Sequence, residues 1–221
     1  MSNLKEVWNY RERQIYPQWF GPAQNGPFYL TAEFFLETFG ITDPDLSWTS
    51  HSIYEFEPIE ERGSWLYVSS GLSNPWYDSP DDYFINDYSG LGVEFVMETP
   101  EKSIWAIAIM QRIAAYNILL DAGRLGEYMV LDYNTTLPLH GPINITGKSL
   151  LQAIGLFRPT HYSPVFTLDS GSVDFLHIMG LTIPEFDFCR QRSPEELLEI
   201  FEREDIYPLT DPARKSVTIK L

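Results

Sequence analysis

Three neighbouring stretches decide the fold class: WLYVSSGLSNPW (Trp65–Trp76), SGLGVEFVMETP (Ser89–Pro100) and SIWAIAIMQRIAAYNILLDAGR (Ser103–Arg124). In the second, Val93, Phe95 and Met97 alternate with Glu94 and Glu98, which is the two-residue period of a strand. Pro100 ends it. The third reads as a helix that Ser103 is placed to cap and Gly123 to terminate in the left-handed region. Its apolar residues run around the whole circumference, so it belongs in an interior, packed on a sheet. Gln111, Arg112 and Asn117 interrupt the apolar run, which makes it a core helix and not a membrane span.

Working outward, Ser52–Pro58 alternates with Tyr54 and Phe56 on one side and Ile53, Glu55 and Glu57 on the other. The turn Glu60–Ser64 joins it to Trp65–Ser70, giving a predicted hairpin. Further upstream, Ser2–Gln14 has helical spacing in Leu4, Val7, Trp8, Arg11 and Ile15, after which Pro17, Gly21, Pro22 and Gly26 are expected to break the chain. A second helix is predicted over Thr31–Phe39, stopped by Gly40. Asn74–Asp87, rich in Asp, Pro and Tyr, reads as a loop.

Downstream, strands are predicted at Tyr128–Tyr133, near Ile154–Arg158, at Val165–Leu168 and at Val173–Met179, the last two flanking the tight turn Asp169-Ser170-Gly171. Thr182-Ile183-Pro184-Glu185 and Ser193-Pro194-Glu195-Glu196 both have the capping-box pattern of a helix start. Helices and strands are segregated and do not strictly alternate. The expectation is therefore an α+β fold: a mainly antiparallel or mixed sheet packed against a long buried helix, with further helices at both termini. No linker divides the chain, so residues 1–221 read as one domain that includes the helical segment of about 1–40.

With 221 residues, 44% hydrophobic and 15% aromatic, the chain is long and apolar enough to bury a core. Its 31 acidic against 15 basic residues give a formal charge of −16, which repels a phosphate backbone and suits a basic protein partner. Nucleic acid and membrane are therefore not expected partners. The single cysteine, Cys189, excludes an internal disulfide framework and fits a reducing, cytoplasmic setting. Phe186 and Phe188 beside it mark it as a small buried hydrophobe. The charged N-terminus has no signal-peptide core.

Catalytic and metal signatures are lacking. His51, His140, His161 and His177 are too dispersed for metal-ligand spacing, and His177, within a strand pattern, reads as a structural histidine. Gly90-x-Gly92 precedes a strand and lacks the third glycine of a dinucleotide fingerprint. Ser69, Ser70 and Ser73 surround Gly71 without a nucleophile-elbow pattern and read as turn residues. Glu55, Glu57, Glu60 and Glu61 read as an acidic strand face and turn. No enzyme, cofactor or metal is expected. If Glu55–Glu61, Asp78–Asp87 and Glu195–Asp205 converge, they make an anionic face for a basic partner.

The cassette, together with SVDFLHIMGLTIPEF (Ser172–Phe186) and LTDPARKS (Leu209–Ser216), resembles the Suppressor of fused domain family. The matching motifs occur in the family's order from Tyr54 to Ser216, and the resemblance extends to the family's N-terminal lobe. It implies a non-enzymatic protein-binding domain. Animal members hold transcription factors between two lobes, the bound peptide adding a strand to the sheets. Single-lobe bacterial members are proposed immunity proteins that neutralise toxins, and this chain looks like that type. The resemblance further implies a partner site at Tyr116, in IAAYNIL, and Glu127, in RLGEY. Read from the residues alone, Tyr116 is also compatible with a core aromatic and Glu127 with a solvated carboxylate.

The competing reading is a small-molecule-binding domain or cryptic hydrolase. It requires Glu94, Tyr116, Glu127 and a histidine to meet in one deep acidic, aromatic cleft. Oligomeric state and partner identity are left open.

Overall fold

The computed structural model describes residues 2–76, 87–126, 130–144 and 147–217. Helix α1 (Ser2–Tyr10) passes through a π-helical turn at Arg11–Ile15 into α2 (Tyr16–Phe20), followed by strand β1 (Ala23–Tyr29) and helix α3 (Ala32–Phe39). Next comes β2 (Ser52–Phe56), and the three stretches that decide the fold class supply β3 (Trp65–Ser70), β4 (Tyr88–Thr99) and the long helix α4 (Ile104–Asp121). Then come β5 (Thr136–Pro138), β6 (Leu151–Phe157), β7 (Val165–Leu168), β8 (Gly171–Thr182), α5 (Ile183–Gln191) and α6 (Pro194–Arg203).

The eight strands form one mixed sheet in the order β1-β2-β3-β4-β8-β6-β5, with β7 paired to β8. Every pairing is antiparallel except β4 with β8, which is parallel. This is the α+β architecture expected from the segregated elements. The hairpin β2–β3 forms as predicted, and so does β7–β8 around Asp169-Ser170.

Both faces of the sheet are covered. On one, α4 buries Ala106, Met110, Ala115 and Leu119 against Tyr67, Phe95, Met97, Leu176 and Ile178. On the other, Ile15, Tyr16 and Phe20 pack on Phe56, Val68, Val96 and Phe175, while Phe188, Leu197 and Phe201 from α5 and α6 cover Ala153, Met179 and Leu181. Each such fully buried aliphatic or aromatic side chain contributes about 1.5–3 kcal/mol. Helix α4 has the length and composition of a membrane span, yet lies in this interior as the core helix its pattern implied. Cys189 is buried in the α5–α6 cluster.

Several expectations are corrected. Pro17 does not break the N-terminal helix, because it falls in the first turn of α2, where no intrahelical N–H is needed; the helical run ends at Gly21 (φ +84°). Within Tyr128–Tyr133 the described residues 130–133 are not a strand, and the strand lies instead at Thr136–Pro138. Ser103 is the N-cap residue of α4 but makes no side-chain cap; its Oγ donates to Glu101 O, and its N–H donates to the Tyr67 hydroxyl at 2.7 Å. Thr182 forms the full capping box with Glu185, and Ser193 accepts from Glu196 N.

A glycine near the start of β4 serves close approach. A Cβ on Gly90 (φ +57°) would sit 2.6 Å from the Asn74 carbonyl oxygen, and the next residue, Leu91, donates its N–H to Leu72 O at 2.8 Å.

Candidate functional site

The polar residues of WLYVSSGLSNPW converge on two buried charges. Glu94 is fully buried; its Oε1 accepts from Gly71 N (2.9 Å), Ser73 N (3.0 Å) and Ser73 Oγ (2.7 Å), and its Oε2 from Ser69 Oγ (2.5 Å). Arg11, reaching in from the π-helical turn, lies 3.6 Å from Glu94 and donates to Ser70 Oγ, Ser73 Oγ and Asn74 Oδ1. Burial opposes the Arg11 charge, but Glu94, Tyr16 and Glu12 outweigh it and hold its pKa above the ordinary value. Ser69, Ser70 and Ser73 thus go beyond the turn role expected of them: they bind the N-terminal helix to the sheet. The two charges and the three serines are satisfied by one another, so the ionic cluster is structural, although Asn74 Nδ2 at its edge is buried without a partner among the described residues.

Glu55 is not part of an exposed acidic face, as its register with Glu57 suggested. It is buried, accepting from Asn25 Nδ2 at 2.6 Å and pairing with Lys102 at 2.8 Å. Two histidines are buried and neutral. His51 donates through Nδ1 to Trp48 O (3.1 Å), and His177 donates through Nε2 to Pro208 O (3.0 Å); burial lowers each pKa from 6.5 to about 4. His177 is the structural histidine its strand position implied.

Tyr116 lies on the opposite face of the sheet from Glu94. It is half-buried on α4, packed at the margin of the α4 core. It lines a groove of about 270 Å³ with Phe39 and Arg112 on one side and Leu137, Pro138 and His140 on the other. Among the described residues no hydrogen bond engages its hydroxyl, which leaves it able to donate and accept. Glu127 lies outside the described residues. Glu94 and Tyr116 therefore do not share a cleft, and the constellation required for a small-molecule or hydrolytic site is not assembled.

The groove runs beside the edge of the sheet. β5 pairs with β6 alone, in the register Leu137↔Ile154. Leu139 N donates to Gln152 O, and Leu156 N donates to Thr135 O. Antiparallel alternation then turns the Thr136 N–H and C=O and the Pro138 C=O away from β6. The opposite edge, β1, carries two register irregularities and Pro27, features that discourage an added strand. Sequence reading missed this edge, because three residues ending in proline give no alternation to detect.

A family model for Suppressor of fused protein (SUFU) matches residues 47–215. The chain belongs to the Suppressor of fused family. Its fold is shared by the protein in the Sufu–Fu complex crystal structure (TM-score 0.63, 20% identity, 96% of this chain and 91% of that one). It is also shared by a putative SUFU homolog from Neisseria gonorrhoeae (TM-score 0.62, 18% identity, 100% and 97%). Against Drosophila Suppressor of Fused the TM-score is 0.63 at 18% identity, over 97% of this chain but 50% of that chain. The structural likeness thus takes in the helices ahead of residue 47 that the SUFU family match leaves out. No curated protein sequence matches the chain.

Proposed function

We propose that this chain is a non-catalytic protein-binding member of the Suppressor of fused family, and that the partner adds an extended strand along β5 and places a side chain in the Tyr116 groove. The observation that carries this reading is the unpaired edge of β5 with an aromatic-lined groove beside it. In such recognition main-chain hydrogen bonds supply affinity and the pocket supplies choice of side chain. The phenol of Tyr116 and, by the family resemblance, the carboxylate of Glu127 select a donor-bearing side chain. The charge of −16 favours a basic partner whose association is steered by the field and slows with added salt.

The role we infer is an immunity-type protein of the bacterial cytoplasm that binds and neutralises a protein toxin. The family membership, the acid excess and the fold shared with the Neisseria gonorrhoeae homolog support it.

The test uses the protein encoded beside this gene, with affinity measured by calorimetry and growth rescue as a second readout. Thr136→Pro removes the outward N–H at an edge position where proline is tolerated, and Tyr116→Ala empties the groove. Each variant is expected to weaken binding at least tenfold while the protein stays folded. Unchanged affinity in both variants would overturn the edge as the site; absence of any toxic neighbour neutralised by the wild type would overturn the immunity role.

A further inference from the structure

A second cavity, of about 560 Å³, opens on the other face of the sheet, between the end of α2, the turn joining β2 to β3, the end of β4 and the segment at Pro208. Its floor is Glu98, only 2% exposed. Glu98 Oε2 accepts from Ser64 Oγ, and its main-chain carbonyl accepts from Thr210 N at 2.9 Å, which pins the end of β4. Among the described residues, Oε1 receives no hydrogen bond. A buried carboxylate with an idle oxygen facing a cavity is costly unless something answers it.

The neighbouring cation, Arg62, supplies that answer only in part: its charge favours the carboxylate, but burial outweighs it and no hydrogen bond joins the two among the described residues. Each of the three Arg62 nitrogens is already engaged by a main-chain carbonyl: Nε with Ser64 O at 3.2 Å, Nη1 with Phe20 O at 3.3 Å and Nη2 with Glu57 O at 2.6 Å. Arg62 therefore ties the turn to α2 with three of its five N–H groups, while its guanidinium also forms part of the cavity wall.

Tyr162 gives the second polar atom of the wall. His177 Nε2 must donate to Pro208 O, so its Nδ1 is the acceptor, and the Tyr162 hydroxyl donates into it at 3.3 Å. The phenolic proton is committed, and what the oxygen retains is lone pairs. Glu98 and Tyr162 are thus both acceptors. The exposed Glu61 adds a negative charge at the rim, and the half-buried ring of Trp19 adds a π face. Among the described residues no three metal-ligand side chains converge, so the arrangement does not suit a bare metal ion.

We propose that this cavity binds an organic cation, an ammonium or guanidinium headgroup, seated on Glu98 with its alkyl portion against Trp19. The donors of such a group match the two acceptors, and its charge balances the excess of two carboxylates, Glu61 and Glu98, over the single Arg62 in the wall. Burial raises the Glu98 pKa, so a bound cation also restores the carboxylate's preference for ionisation. The site is separate from the β5 edge, on the opposite face of the sheet, and does not depend on the strand-addition reading.

The test titrates the full chain with n-butylammonium, n-butylguanidinium, 1-pentanol and butyrate, following indole signals by NMR. The two cations are expected to bind and the alcohol and carboxylate to bind at least tenfold more weakly. Glu98→Gln should reduce cation binding at least tenfold, and Tyr162→Phe severalfold, with folding checked by the NMR spectrum. N-acetyl-lysine methylamide, added as a further probe, separates the two sources of the headgroup: binding as tight as butylammonium points to a partner's side chain, and exclusion of the amide points to a free amine. Equal binding of pentanol, or full cation binding by both Glu98→Gln and Tyr162→Phe, would overturn the proposal.

Discussion

Glu94 and Glu98 stand four residues apart on β4, on the same face of the sheet, and both are buried. Their surroundings differ. Glu94 accepts four hydrogen bonds and has Arg11 beside it, whereas Glu98 accepts one at its side chain, and its nearest arginine is occupied by carbonyls. The first carboxylate joins the N-terminal helix to the sheet; the second is left facing a cavity. Burial of a charge does not by itself distinguish structure from function. What distinguishes them is whether the donors around it are complete.

The largest expected effect tests this difference directly. Glu94→Gln keeps an oxygen for the donors at Oε1 but puts an NH₂ against Ser69 Oγ, which must turn from donor to acceptor, and leaves Arg11 without its buried counter-charge. A loss of roughly 3–5 kcal/mol in urea-unfolding free energy is expected. A loss below about 1 kcal/mol would erase the distinction drawn here.

The next test uses the two buried histidines, His51 beside Glu94 and His177 bonded to Tyr162 of the cavity wall. His51 and His177 stay neutral in the folded chain down to about pH 4, while the unfolded chain takes up protons below about 6.5. Stability contributed by the neutral rings is therefore present above pH 6.5 and drains as pH falls through that window. Between pH 6.5 and 5 each histidine should account for about 1.5 kcal/mol. Urea unfolding at a series of pH values checks this, and His177→Gln should remove about half of the slope in that range. A slope unchanged by that substitution would show that other groups control it.

The smallest expected effect is on the second carboxylate. In Glu98→Gln the amide oxygen still accepts from Ser64 Oγ, and the amide nitrogen faces the cavity. A change in unfolding free energy within about 1 kcal/mol is expected. A loss matching that of Glu94→Gln would make Glu98 a structural group as well, and the contrast between the two would fail.

Much of the fold was legible in the residues. Alternation located β2 and β4, turn signals placed β3 and the β7–β8 pair, and the apolar circumference of Ile104–Leu120 located the core helix. The Thr182 capping box and the left-handed Gly40 and Gly123 marked helix ends where they occur. Pro17 was misread because a proline in a first helical turn and a helix-breaking proline look alike until the preceding turn is seen. β5 was misplaced because it is too short to carry a period. Tyr116 was legible as a candidate only through family resemblance, since one tyrosine on an apolar helix is otherwise core. Glu98 was passed over, although its parity with Glu94 was visible: two acids two places apart in strand period share a face.

From the sequence alone followed the α+β class, the hairpin, the buried helix and the family, all of which rest on local periods and on motifs in order. Tertiary structure decided that β4 pairs in parallel with β8, that both faces of β4 are covered, and that β5 is left at an edge. It also decided the fates of the two acids. Arg11 meets Ser73 across 62 positions, and Ser89 meets Ser170 across 81. A two-residue period states that Glu94 and Glu98 point the same way, but which donors await them is set by segments that only the folded chain brings together.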